Sequence, residues 1–219
     1  MVAPVIRHRG FTVKSFAHWT PRYVLDRAKQ HAFSAMNPDA PWFTRHMVGL
    51  LDQLLRPDDR ALEWGAGRST LWLTRRVAHL VSIEHDPDWF ERVRRRCLAE
   101  LAAGRVELLL RRPADDGGDY VAAASTIAPD SLGLVVVDGK VRSLSALAAL
   151  PLLRPGGLLV LDNAERYLPR ATPSRAPGAR HEADGYGDEA WRDFAARVAG
   201  WRCLWTTDGV TDTALWTKP

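Results

Sequence analysis

The amino-acid sequence predicts an α/β protein built on a doubly wound, mostly parallel β-sheet. Between residues 60 and 161, short apolar segments of strand length alternate with segments that have helical periodicity. Strands separated by helices at this spacing are typical of βαβ units, whose right-handed crossovers place helices on both faces of a sheet. The segment Leu134–Val137 is apolar throughout, as expected for a strand that is buried on both faces.

Composition and charge agree with a single globular domain. The chain has 219 residues, of which 46% are hydrophobic and 26% charged, and this balance excludes wholesale disorder. The 30 Lys and Arg residues exceed the 26 Asp and Glu residues by four, giving a net charge of +4. So small an excess does not make nucleic acid the expected partner.

The predicted compartment is the cytoplasm. Cys97 and Cys203 form neither a disulfide framework nor a zinc-binding pattern, which fits a reducing environment. Residues 1–10 lack the long apolar stretch of a signal peptide. No apolar run approaches the ~20 residues that span a bilayer, so we expect no membrane partner.

Residues 1–57 are predicted to form an N-terminal helical extension. Apolar positions at helical spacing predict one helix over Arg22–Met36 and another over Phe43–Leu55, with Pro38 and Pro41 breaking the pattern between them. Such helices can cover a pocket, support a homodimer or cover the sheet. The sequence leaves these three alternatives open.

The first βαβ units follow directly. Strands are predicted at Ala61–Trp64, His79–Glu84 and Val106–Leu110, with a helix over Ser69–Val77 between the first two. A further helix begins at Asp86, a good N-cap that is followed by proline. Its apolar face consists of Trp89, Phe90, Val93, Cys97, Leu98 and Leu101.

The next unit contains the fourth and fifth strands. After the strand Leu134–Val137 we expect a helix over Leu144–Leu153. A turn at Pro155–Gly157 then leads into a strand at Leu158–Leu161.

The C-terminal part changes in character. Residues 168–187 are rich in Pro, Gly and Arg without apolar periodicity, and this composition predicts a long mobile loop. A helix is expected over Asp188–Val198. Two strands, Trp201–Thr206 and Thr213–Thr217, are expected to flank a turn at residues 208–209.

A glycine turn joins the first strand to its helix, in the sequence Glu63-Trp-Gly65-Ala-Gly67-Arg-Ser-Thr70. Glycine allows close approach of a ligand to the main chain, and the helix N-terminus offers free N–H groups. Glu84 closes the neighbouring strand, where a carboxylate can accept both hydroxyls of a ribose. Together these features predict a nucleoside-containing ligand at the topological switch point.

A dinucleotide is the less favoured form of this ligand. Thr70 stands where a third glycine is expected, and the acidic Glu63 suits a cationic ligand better than a pyrophosphate. The chain also ends in a predicted strand hairpin rather than a second domain.

Over residues 58–219 the sequence resembles the class I S-adenosylmethionine-dependent methyltransferases. The matching motifs are Glu63-x-Gly65-x-Gly67, Ser82–Asp86, Val135–Gly139 and Leu153–Asn163. The resemblance implies a Rossmann-like sheet of seven strands whose last strand is antiparallel and lies beside the fifth. The methyl donor would be S-adenosylmethionine.

The resemblance also implies roles for individual residues of the donor site. Gly65 and Gly67 would border the methionine part of the donor, and Glu84 would hold its ribose. Glu63 would steady the loop and the ammonium end, and His85 would lie near the adenine.

Polar residues that follow the fourth and fifth strands are candidates for the chemistry. Because the carboxyl ends of adjacent parallel strands converge, Asp138, Asp162 and Asn163 are expected to meet, and such oxygen ligands suit Mg²⁺. The pattern is similar to the catechol-type and macrocin-type metal-dependent O-methyltransferases, which makes Asp138, Lys140 and Asp162 the catalytic candidates and places Asp138 beside the donor. Alternatively, Asp162 and Asn163 simply terminate a strand.

The predicted function is S-adenosylmethionine-dependent O-methylation of a hydroxylated small molecule, such as a sugar, a phenol or a secondary metabolite. Methylation of RNA or protein is an alternative, although the Asn/Asp-Pro-Pro-aromatic element of many amino-directed enzymes is missing after the fourth strand. A non-catalytic protein that binds an adenosyl ligand is the other alternative.

Overall fold

The computed structural model describes residues 19–172 and 174–219, in which seven strands form one sheet of order β3-β2-β1-β4-β5-β7-β6. The first five strands pair in parallel, and β7 is antiparallel to both β5 and β6. The strands are β1 (Arg60–Trp64), β2 (His79–Glu84), β3 (Val106–Leu110), β4 (Leu132–Val137), β5 (Leu153–Asp162), β6 (Arg202–Thr207) and β7 (Asp212–Thr217). The predicted doubly wound α/β fold is confirmed, including the antiparallel strand beside β5.

Helices cover both faces of this sheet, as the alternation of strands and helices predicts. The helices are α1 (Pro21–Met36), α2 (Arg45–Leu54), α3 (Arg68–Thr74), α4 (Pro87–Arg96), α5 (Leu98–Ala102), α6 (Gly118–Ala122), α7 (Arg142–Ala149) and α8 (Glu189–Arg197). One hydrophobic cluster packs α2, α3 and α4 on one face of the sheet, and a second cluster packs α6, α7 and α8 on the other. Alternate residues of β4 point into the two clusters, which is why Leu134–Val137 is apolar throughout.

The N-terminal helices differ in how they pack. Helix α2 buries Met47, Val48 and Leu51 in the sheet's core, so it covers one face of the sheet. Helix α1 has no buried residue. Residues 1–18 lie outside the described part of the chain. The inference from residues 1–10 that the chain carries no signal peptide concerns these residues.

Several elements differ from the sequence prediction. Strand β5 begins at Leu153 and runs through Pro155–Gly157, because Leu153 pairs with Leu132 across an irregularity in the β4–β5 ladder. The helix expected from Asp86 onward is broken at Cys97, whose backbone angles of −107° and 19° are not helical. Helix α6 was not predicted, and α7 begins two residues earlier than expected.

Residues 168–187 contain little regular structure in their described part. A short 3-10 turn at Glu182–Asp184 and one bridge between Arg170 and His181 are the elements found in 168–172 and 174–187. Within the described ranges, no helix is both long enough and apolar enough to cross a membrane.

Candidate functional site

A cleft of about 790 Å³ lies at the carboxyl ends of β1, β2, β4 and β5. The glycine turn after β1 and the end of β2 form one side of the cleft. The other side is formed by residues 138–144 after β4 and by Asn163, Arg166 and Tyr167 after β5. This is the crevice in which open α/β sheets bind ligands.

The glycine turn is packed directly against the loop that follows β4. Gly65 has a φ of +97°, and a Cβ added there would lie 2.6 Å from the backbone nitrogen of Gly139. Gly67 is different, because an added Cβ would meet no protein atom closer than 3.8 Å, and its φ of −173° is ordinary extended backbone. Gly65 is therefore required by the fold, whereas the space at Gly67 opens to the cleft that it lines.

Glu63 lies beneath this turn and is completely buried. Its carboxylate accepts hydrogen bonds from the hydroxyls of Ser69, Thr70 and Ser82, the latter two at 2.7 Å, and Thr70 Oγ1 in turn accepts the N–H of Gly67 at 2.9 Å. Burial raises the pKa of Glu63 to about 7 against the lowering effect of these hydroxyls. Glu63 does not line the cleft, and its contacts support the loop.

Glu84 is the last residue of β2, and one of its carboxylate oxygens is hydrogen-bonded to the protein backbone. Its Oε1 accepts the backbone N–H groups of His85 at 2.7 Å and Asp86 at 2.8 Å. Its Oε2 has no hydrogen-bond partner among the described residues, and Glu84 lines the cleft. The side chain is thus fixed in place with one oxygen available to hydroxyl groups of a ligand.

The residues beside Glu84 complete this side of the cleft. His85 Nδ1 lies 2.7 Å from Glu84 Oε1 without hydrogen-bond geometry, and its ring meets the ring of Tyr120 edge-on at 6.1 Å. Trp89 Nε1 donates a hydrogen bond of 2.6 Å to the carbonyl of Ala66, which ties α4 to the glycine turn.

On the opposite side, Arg142 joins the carboxyl ends of β4 and β5. Its guanidinium donates to Asp138 Oδ1 at 2.6 Å, to the Asp138 carbonyl at 2.7 Å and to the Gly139 carbonyl at 3.0 Å. It also donates to the Asp162 carbonyl at 2.5 Å and to Asn163 Oδ1 at 3.1 Å. Two of the three side chains expected to bind a metal ion, Asp138 and Asn163, therefore direct an oxygen at a guanidinium.

The two aspartates at this point are not equivalent. Asp162 does not line the cleft, and its Oδ1 accepts the hydroxyl of Thr213 at 3.1 Å. Burial, with the nearby charge of Asp138 as the second cause, raises the pKa of Asp162 well above its usual value. Burial also raises the pKa of Asp138, although Arg142 opposes this shift. Asp138 lines the cleft, and its carboxyl is hydrogen-bonded to the side chain of Asp162 as well as to Arg142.

This arrangement does not fit the divalent metal ion expected from the sequence. Asp138 and Asn163 each direct an oxygen at Arg142, and Asn163 Nδ2 donates to Thr211. The Asp162 carboxyl is bonded to Thr213 and to the Asp138 side chain. No cluster of three or more His, Cys, Asp or Glu side chains with metal-binding geometry occurs in residues 19–172 and 174–219. The positive charge at this point is the guanidinium of Arg142.

Lys140 lines the cleft as an exposed side chain without an ion-pair partner among the described residues. Its backbone N–H makes a long contact of 3.4 Å with the hydroxyl of Tyr120. The far wall of the cleft is aromatic, because Tyr167 stacks on Trp191 with ring centres 5.0 Å apart. Trp42, from the N-terminal extension, also lines the cleft and is 58% exposed.

Sequence reasoning did not assign roles to Arg142, Tyr120 or the aromatic wall. A signal for Arg142 was present, since an arginine four residues after a strand-ending aspartate lies within reach of its carboxylate. Tyr120 lies on the unpredicted helix α6 and gave no comparable signal.

Comparisons with known proteins give structural neighbours only. No protein-family model and no curated protein sequence matches the chain. TomG, an O-methyltransferase from Streptomyces achromogenes involved in tomaymycin synthesis, has been solved in complex with S-adenosylmethionine. It is 21% identical to this chain with a TM-score of 0.57, and 91% of each chain is covered.

Two further structures are similar over most of their length. A protein from Corynebacterium glutamicum is 22% identical, covers 94% of this chain and 92% of its own, and gives a TM-score of 0.57. A methyltransferase from Geobacter sulfurreducens is 16% identical, with 89% of both chains covered and a TM-score of 0.53. At these identities the likeness establishes the fold, which is the Rossmann-like fold of the class I methyltransferases.

Proposed function

We propose that this protein transfers a methyl group from S-adenosylmethionine to an oxygen of a hydroxylated small molecule. The observation that carries the proposal is the unpaired Oε2 of Glu84, which lies in one cleft with the glycine turn. A fixed carboxylate oxygen suits the hydroxyls of a ribose, and the open space at Gly67 suits a ligand that passes close to the main chain.

The size of the cleft supports a small acceptor. A volume of about 790 Å³ falls within the range of roughly 300–1,000 Å³ that is typical of small-molecule sites. Tyr167, stacked on the buried Trp191, offers an apolar surface against which a ring can pack. After β4 the chain continues as Asp138-Gly-Lys140, without the Pro-Pro-aromatic element of many amino-directed enzymes, and this favours an oxygen acceptor.

The chemistry requires little from the protein beyond orientation and a proton acceptor. Bound S-adenosylmethionine supplies an electrophilic methyl group, so the acceptor oxygen forms a C–O bond while the S–C bond breaks and its electron pair stays on sulfur. Asp138, whose carboxylate lines the cleft, accepts the hydroxyl proton. Lys140, exposed at the same edge, orients the acceptor through its charge. Asp162 lies behind this surface, hydrogen-bonded to the side chain of Asp138.

A screen with methyl-labelled S-adenosylmethionine tests this proposal. Phenols, sugars and hydroxylated secondary metabolites are incubated with the protein beside matched analogues in which the hydroxyl is replaced by hydrogen. We expect label to enter hydroxyl compounds and to spare the analogues. The Asp138→Asn variant is expected to lose methyl transfer while it retains its affinity for adenosylhomocysteine, since only the proton acceptor is removed.

Two results would count against the proposal. If calorimetry of the folded protein gives no heat with either S-adenosylmethionine or adenosylhomocysteine, the protein has no donor site. Label that enters RNA in preference to every small molecule, with binding that falls steeply as salt is added, would assign the cleft to a nucleic acid instead.

A further inference from the structure

We propose that Arg142 is the resident cation of this site, that it holds Asp138 in position, and that methyl transfer here requires no divalent metal ion. The inference rests on the proposed function and deepens it. It follows from the disagreement between the metal-binding pattern of the sequence and the contacts found at the carboxyl ends of β4 and β5.

The guanidinium of Arg142 is fully used by the protein. An arginine side chain has five N–H donors, and all five are matched here by acceptors at 2.5 to 3.1 Å. Three acceptors are backbone carbonyls, one is the Asp138 carboxylate and one is the Asn163 amide oxygen. Because no N–H is left for a ligand, Arg142 is a positioning residue that acts through Asp138.

The backbone before Arg142 brings the guanidinium to this place. Val141, the residue before α7, has φ of 41° and ψ of 45°, a left-handed conformation that is costly for a β-branched side chain. This turn starts α7 at Arg142, whose side chain is only 12% exposed. The ring of Tyr167 covers it with 5.8 Å between the ring centre and the guanidinium carbon. The guanidinium is thus held from several sides.

A divalent ion would need the oxygens that Arg142 already binds. Asp138 Oδ1 and Asn163 Oδ1 both point at the guanidinium, and the positive charge of Arg142 repels a second cation at that point. Arg142 donates both to Asp138 Oδ1 and to the carbonyl of the same residue, and these two bonds fix the direction of the carboxylate in the cleft. Arg142 therefore balances the charge of Asp138 and fixes the orientation of its carboxylate, as a metal ion would.

The metal arm of the test uses the wild-type protein and needs no acceptor. Mn²⁺ is titrated into the protein, with and without adenosylhomocysteine, and followed by electron paramagnetic resonance. We expect the signal of free Mn²⁺ throughout, and we expect EDTA to leave the melting temperature and methyl transfer unchanged. Stoichiometric Mn²⁺ binding that is lost in Asp138→Asn, or loss of methyl transfer on chelation, would overturn the proposal.

The positioning arm uses Arg142→Ala with the acceptor identified by the labelled screen. Because a misplaced proton acceptor costs about 10²-fold, we expect kcat to fall by about that factor while KM and the affinity for adenosylhomocysteine change little. Added guanidinium ion should restore part of kcat, whereas ammonium at the same concentration should not, since it lacks the planar fork. Arg197→Ala removes an exposed arginine that is paired with Asp193, and serves as the matched control without effect on kcat.

The two arms remain informative if a variant is unstable. Arg142→Lys keeps the charge without the fork and is expected to fold better than Arg142→Ala, with kcat still below wild type. Wild-type kcat in a folded Arg142→Ala or Arg142→Lys would overturn the positioning role. Failure of the proposed function appears separately, as absence of adenosylhomocysteine binding in the wild type.

Discussion

Thr70 Oγ1 lies 2.7 Å from Glu63 Oε2 and links this buried carboxylate to the turn above it. The same hydroxyl oxygen accepts the N–H of Gly67. One threonine therefore provides a hydrogen-bond partner to the carboxylate of the strand and to the backbone of the turn. A third glycine at this position, as in dinucleotide-binding turns, would provide neither contact. The departure from that pattern therefore has a structural reason in the support of the turn.

Thr70→Val is predicted to weaken both stability and donor binding. The variant leaves the N–H of Gly67 without its partner and removes a donor from Glu63, which costs about 2 kcal/mol of unfolding free energy. The affinity for adenosylhomocysteine should fall with it, because the turn is less well fixed. Urea unfolding and calorimetry measure the two effects.

Two variants serve as controls for this prediction. Thr70→Ser keeps the hydroxyl and should bind like wild type. Thr74→Val, in the same helix, removes a hydroxyl that bonds only the carbonyl of Leu71 and should leave donor affinity unchanged. Equal loss of affinity in Thr70→Val and Thr74→Val would contradict the specific role of Thr70.

The two glycines of the turn are predicted to respond differently to alanine. In Gly65→Ala the new Cβ would lie 2.6 Å from the backbone nitrogen of Gly139 at a φ of +97°. Strain and overpacking should lower stability by roughly 3 kcal/mol, on the order of 10 °C in Tm. Thermal unfolding monitored by circular dichroism measures this loss.

Gly67→Ala is the contrasting case within the same turn. Its added Cβ meets no protein atom within 3.8 Å, so the loss of stability should stay below about 1 kcal/mol. The methyl group nevertheless occupies space in the cleft and should weaken adenosylhomocysteine binding about tenfold. A folded Gly67→Ala that binds with wild-type affinity would show that the ligand does not approach this residue.

The fold was accessible from the sequence because its strongest signals are local. β2 and β3 have the predicted bounds, since apolar strand residues are flanked there by a turn or an N-cap. β5 was shortened by the prediction because Pro155–Gly157 has the composition of a turn. In the sheet, the long-range pairing of Leu153 with Leu132 overrides that local preference.

The candidate site was only partly accessible for the same reason. Placing Glu84 and Asp138 at one cleft needs only the rule that strand ends converge, and both residues line it. Whether the candidate metal-binding oxygens are available to an ion depends on the direction of the Arg142 side chain. The left-handed turn at Val141 sets this direction. A valine gives no sequence signal for such a conformation, so the spacing of Asp138 and Arg142 does not by itself show that the guanidinium also meets Asn163.

Glu84→Gln is predicted to weaken donor binding without harming the fold. The amide oxygen can still accept the backbone N–H groups of His85 and Asp86, but the group in the cleft is no longer a charged acceptor. Hydrogen bonds to charged groups contribute about 1.5–3 kcal/mol, so the Kd for adenosylhomocysteine should rise about 10- to 100-fold.

The matched control for Glu84 lies on the adjacent strand. Glu107→Gln changes the same chemical group at an exposed position of β3, away from the cleft, and should leave the Kd unchanged. Calorimetry with adenosylhomocysteine compares the two variants directly. Similar Kd values for the two variants would show that Glu84 does not contact the donor.

The buried carboxyl of Glu63 predicts how stability depends on pH. Its pKa is raised to about 7 in the folded protein, mainly by burial, from 4.5 as the ordinary value. Between these two values the folded state binds more protons than the unfolded state, so the free energy of unfolding falls as pH rises from 4.5 to about 7. A shift of this size corresponds to about 3 kcal/mol.

Glu63→Gln isolates this contribution, because the amide resembles the protonated acid and does not titrate. We expect the wild type to lose about 3 kcal/mol more than Glu63→Gln between pH 4.5 and pH 7.5, measured by urea unfolding. Glu165, whose pKa is also raised to about 7 by burial, titrates in both proteins and cancels in the comparison. Parallel pH profiles for the two proteins would mean that Glu63 is already ionised in the folded state at low pH. Its three hydroxyl donors would then outweigh the cost of burying its charge.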